Sequence, residues 1–194
     1  MHIKVLTLFK PARKMFSFLL KKKVSESQVA NHFVQSIVQL VDDGFPELVE
    51  IINYDPEFER RPNLAPEDSN EFLLIVLAGN ISQVPKHFSD YQDVRIMDAI
   101  YKLLSESFDL DKDKLKEKIS SYQKYFSKIN HPSKNTLYAM SKAVFYKYNL
   151  NDFQDDYFRK MKTPNPIFLA RLHELMENFQ WDWSRIQDEY KIVS

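Results

Sequence analysis

Two glycines, Gly44 and Gly79, are all that a chain of 194 residues contains, where average usage would supply about thirteen. That shortage removes whole classes of fold. Two-residue hairpin turns, dinucleotide fingerprints and phosphate loops need positive φ or a bare backbone, whereas helix interiors are better without glycine. The expectation is an all-α fold, a single multi-helical domain of about eight or nine helices in helical-hairpin or orthogonal packing.

The core must close around Phe72-Leu73-Leu74-Ile75-Val76-Leu77-Ala78, the one unbroken apolar run of that length. Burying each large side chain gains about 1.5–3 kcal/mol, and the run is far short of the ~20 residues that cross a bilayer. Pro66-Glu67-Asp68 reads as a helix start and Gly79-Asn80 as its end, giving a helix from about 66 to 78. A buried strand is the alternative, because periodicity alone does not separate the two for a short run.

Elsewhere the apolar residues form stripes. Ser25 to Gln28 carries a capping-box pattern ahead of Val29, Phe33, Val34, Ile37 and Val41, a wide arc that packs on two sides. Gly44 is expected to end that helix and Pro46 to begin a short one. Asn53 to Ala65, with two prolines and little to bury, is the longest loop. Ser89 and Gln92 suggest a second capping box before Val94, Met97, Ile100 and Leu104. Asp111 and its neighbours read as an acidic helix start, followed by a seam of Leu115, Ile119, Tyr122, Phe126 and Ile129. Asn130-His131-Pro132 is a break. Further helices carry Leu137 to Tyr148, then Phe153 to Met161 with Asp155–Arg159 and Asp156–Lys160 pairs. The last two carry Phe168 to Phe179, and Trp183, Ile186 and Tyr190.

The formal charge of zero conceals blocks: +7 over residues 1–25, −11 over 26–117, +6 over 118–151 and −2 over 152–194. Residues 1–24 form a basic N-terminal arm and 25–194 the helical domain. The arm is not a secretory signal, since Lys10, Pro11, Arg13 and Lys14 interrupt its apolar stretch and no small-residue cleavage site follows. Phe16, Phe18, Leu19 and Leu20 either dock on the core, with the lysines answering the acidic block, or enter a headgroup layer.

No motif calls for a cofactor or metal. The chain has no cysteine, no two histidines share a helical turn, and His173-Glu174 with Glu177 lacks the second histidine of a zinc motif. Asp109, Asp111 and Asp113 lack the glycine and glutamate of a calcium loop. No G-x-S-x-G nucleophile turn occurs, and no residue is nominated as catalytic. In residues 118–151 lysines alternate with aromatics, a pattern that neutralises phosphates and stacks on bases. Lys124, Lys128, Lys134, Lys142 and Lys147, with Lys21, Lys22 and Lys23 of the arm, are the candidate anion-binding side chains. A packed aromatic face beside solvated lysines accounts for the same pattern. The leading expectation is a cytoplasmic protein-interaction or adaptor module with a protein partner. The alternative is binding to an anionic membrane or nucleic acid.

Overall fold

A computed structural model describes residues 21–193; the arm's Phe16, Phe18, Leu19 and Leu20, and so the choice between docking and headgroup entry, lie outside them. In chain order come β1 (Lys22–Ser25), α1 (Glu26–Asn53), α2 (Ser69–Ile81), α3 (Val84–His87), α4 (Gln92–Phe108) and α5 (Lys112–Ile129). After these follow α6 (Thr136–Lys147), a 3-10 turn (Leu150–Phe153), α7 (Asp156–Met161), α8 (Pro166–Glu177), α9 (Trp183–Glu189) and β2 (Tyr190–Val193). The fold is the multi-helical all-α domain expected. Its sheet was not foreseen: β1 and β2 pair in parallel, Lys22 opposite Tyr190 and Ser25 opposite Val193. Lys22 to Val24 of the basic arm are thus strand, and Tyr190 opens β2 instead of continuing the last helix.

The apolar run is helical and central. α2 packs on α1, α5 and α6, with Phe72 and Ile75 to Ile81 buried, as a helix apolar on all sides requires. Its limits lie three residues beyond those expected. Pro66 and Glu67 precede the helix, and Gly79 and Asn80 are within it because both have tertiary tasks there. A Cβ on Gly79 would collide with Met140, so the missing side chain lets α2 and α6 approach.

α1 corrects a second expectation, for it passes through Gly44 and Pro46 without ending. Proline removes one intrahelical hydrogen bond, yet Phe45 just before it and Leu48, Val49 and Ile52 beyond it are all buried, and that burial holds the helix together. Gly44 is again a point of close approach, since a Cβ there would meet Phe179 Cζ at 2.8 Å. Neither glycine has positive φ; Asn63, Asp90, Tyr91, Asp109, Asn149 and Lys162 occupy those positions. Four of these six are aspartate or asparagine at helix ends or turns, where a short polar side chain tolerates the left-handed region.

The Ser25–Gln28 capping box is formed in both directions, and Asp111 caps α5 by accepting from Lys114 N at 2.8 Å. The Ser89–Gln92 box is not formed. Tyr91, at φ 64°, precedes α4 without a side-chain cap. Asp155 caps α7 instead of pairing with Arg159, which goes to Asp156 and Glu59; the Asp156–Lys160 pair is made at 3.8 Å.

The loop after α1 buries more than its composition suggests. Asn53 holds Leu64 through two hydrogen bonds, 2.9 and 2.8 Å, and Phe58 stacks on Phe168 at 4.7 Å. An aromatic core joins the elements: Phe45 meets Phe72 at 5.1 Å and Phe72 meets Phe179 edge-on at 4.8 Å. Trp183, fully buried, packs on Phe33 and Phe88.

Candidate functional site

The eight lysines proposed from the sequence do not form one surface of equivalent charges. Lys21, Lys22 and Lys23 are exposed at the start of β1, where Lys21 Nζ donates to Gln187 O at 2.6 Å. Lys124 and Lys128 are exposed on α5. Lys142 and Lys147, on α6, are half-buried and engaged. Lys142 Nζ donates to Ile129 O at 3.3 Å and lies 4.8 Å from the Tyr138 ring. Lys147 pairs with Glu71 at 3.6 Å and covers Tyr122 at 4.6 Å and Tyr125 at 5.5 Å. Lys134, on the turn between α5 and α6, lines a cleft together with Lys86 of α3.

The aromatics of residues 118–151 are likewise used internally. Tyr122 is buried and donates its hydroxyl to Glu71; burial first, then that carboxylate, raises its phenol well above the ordinary range. Tyr148 donates to Asp68 O at 2.7 Å and accepts from Phe72 N at 3.1 Å, and burial raises it too. These phenols fasten the start of α2 to α5 and α6. Half-buried His173 lies against Ser141 and the Tyr138 ring.

The acidic block is arranged differently. α1 has 28 residues and no lysine or arginine, but carries Glu26, Asp42, Asp43, Glu47 and Glu50. Glu26 is consumed by Arg95 at 2.8 Å. Asp42, Asp43, Glu47 and Glu50 are exposed, and none takes part in an ion pair among the described residues. Asp43 and Glu47 rim a groove of about 290 Å³ between α1 and the end of α8. Its floor is Leu40, Leu48 and Ile51 of α1 with Leu175 and Phe179, and Gly44 leaves it open. Glu174 and Glu177 add exposed acid on α8. Arg171 of α8 is engaged by Asp55 at 2.8 Å and Glu57 at 3.3 Å.

The acidic block was visible in the sequence, but its apolar neighbour was not. Leu40, Ile51 and Leu175 sit at ordinary core spacing on their helices, and only the approach of Gly44 to Phe179, just past α8, brings them half-exposed into one groove. The breadth of the apolar arc on α1 was the available clue. No family model, no curated protein and no solved structure matches this chain.

Proposed function

We propose that this protein is an interaction module whose α1–α8 groove receives a basic amphipathic segment of a partner protein, in the cytoplasm. The observation that carries the reading is the conjunction in one place of an apolar floor and an acidic rim that has no counter-cation among the described residues. A helix laid in a groove gives its affinity through apolar anchors, and charge of opposite sign steers the encounter and selects against wrong partners. The absence of cysteine suits a reducing compartment, and no helix among the described residues is long and apolar enough to cross a membrane. The alternative, an anionic membrane or nucleic acid met by the lysines, has less support because Lys142 and Lys147 are already engaged.

The test is calorimetric titration with a synthetic lysine/leucine amphipathic peptide of about 18 residues. Saturable binding is expected. Asp43→Asn with Glu47→Gln weakens it by about tenfold, added salt weakens it further, and Ile51→Ala weakens it without changing the salt slope. A glutamate/leucine peptide that binds equally well, or an affinity indifferent to all three substitutions, overturns the reading.

A further inference from the structure

The cleft holding Lys86 and Lys134 is a separate site. Its volume is about 350 Å³, at the small end of ligand pockets, and among its lining residues there is no aspartate or glutamate. Its lining combines the apolar Ile81, Met97, Tyr101 and Phe126 with polar side chains that include Lys86, Ser133, Lys134 and Thr136.

Counting protons on these polar side chains indicates what the cleft can hold. Thr136 Oγ1 already accepts from Gln83 Nε2 at 2.8 Å, and Ser133 Oγ accepts from Asn135 N at 3.2 Å. Each hydroxyl therefore has its own proton to donate. Lys86 spends one N–H on Gln83 Oε1 at 3.0 Å, which leaves two. Lys134 is exposed. Asn135 and Thr136, the cap and first residue of the 12-residue α6, also line the cleft, so the positive end of that helix adds to the field. Asn130, 2 % exposed, fixes the turn by donating to Asn135 O at 2.9 Å.

We infer that this cleft binds a small phosphate monoester with an apolar or aromatic substituent. Four independent donors suit the three terminal oxygens of a phosphate better than the two of a carboxylate, and lysine is a recurrent phosphate ligand. The apolar side chains of the lining take the substituent. The assignment is independent of the groove on α1, with which the cleft shares no residue.

Ligand-observed NMR and calorimetry on the full chain, with phenyl phosphate as probe, test it. Saturable one-to-one binding is expected, with inorganic phosphate and benzoate each weaker by about tenfold or more. Lys86→Gln with Lys134→Gln should weaken phenyl phosphate by about tenfold or more, and Thr136→Ala by a smaller factor. Lys124→Gln with Lys128→Gln removes the same charge from the exposed side of α5 and should leave the affinity within about twofold. The inference is overturned by an absence of saturable binding, by benzoate binding as tightly as phenyl phosphate, or by the control pair weakening binding as much as the cleft pair.

Discussion

Asn80 is 1 % exposed in the last turn of α2. Its Nδ2 donates to Val76 O and Phe179 O, both at 2.9 Å, while its Oδ1 accepts from Trp181 N at 2.7 Å and its backbone carbonyl from Trp183 Nε1 at 3.0 Å. One amide thus joins the central helix to the link between α8 and α9. Asn80→Ala strips three side-chain bonds and leaves buried backbone groups unsatisfied, a loss of about 2–4 kcal/mol. In a chain of this size that lowers Tm by about 5–15 °C, readable by thermal unfolding, and Asn80→Asp should be at least as damaging because a carboxylate cannot donate to two carbonyls. The buried phenols add a pH dependence. Tyr101, Tyr122, Tyr125, Tyr146 and Tyr148 are all raised, chiefly by burial, so the folded chain keeps their protons longer than the unfolded chain does. Their contribution is complete below the unfolded phenol value of about 10 and declines as pH rises beyond it. Urea unfolding should show stability falling above about pH 10, and Tyr122→Phe should flatten that fall.

Among the elements, α1 shows where a sequence reading succeeds and where it stops. Its start was legible because Ser25 and Gln28 are neighbours that satisfy each other locally. Its continuation past Gly44 and Pro46 was not, because local preference favours a break there and only burial of Phe45, Leu48 and Ile52 against other helices overrides it. The same reasoning applies to Gly79 and Asn80, whose partners Met140 and Phe179 lie far along the chain. Of the candidate lysines, nothing local distinguishes Lys147, held by Glu71 and two tyrosine rings, from exposed Lys128. The close approach at Gly44 makes a sharp test at this scale. Alanine normally favours a helix interior by about 1 kcal/mol over glycine, yet Gly44→Ala should destabilise by about 1–3 kcal/mol because its Cβ overlaps the Phe179 ring. Adding Phe179→Leu should recover part of the Gly44→Ala loss, measured as a coupling energy in a double-mutant cycle.

Across the whole molecule, sequence-distant segments are held by a few buried polar ties. Asp55, whose side chain is 3 % exposed, meets Arg171; Glu57 meets Arg171 and Asn165 Nδ2; and Gln154 Oε1 receives Asn165 N at 2.5 Å. The bonds of Asp55 and Glu57 seat the loop after α1 on α8 and its cap, and that of Gln154 ties the segment before α7 to the same cap. Arg171→Gln should cost about 2–3 kcal/mol, below the 3–5 typical of a fully buried pair because the guanidinium is partly exposed. Asp55→Asn added to it should restore some of that by removing the stranded carboxylate, with both read from urea midpoints.

The pairing of β1 with β2 has a consequence in time. Residues 22–25 are made well before the backbone they bind, which is complete only when residues 190–193 are added. At about 5–20 residues per second, that strand waits roughly ten to thirty seconds for its partner, while the helices between them have time to assemble. The sheet can therefore close only after every helix between its strands has been made. A chain cut short before residue 190 would contain every helical segment yet lack the backbone that β1 pairs with.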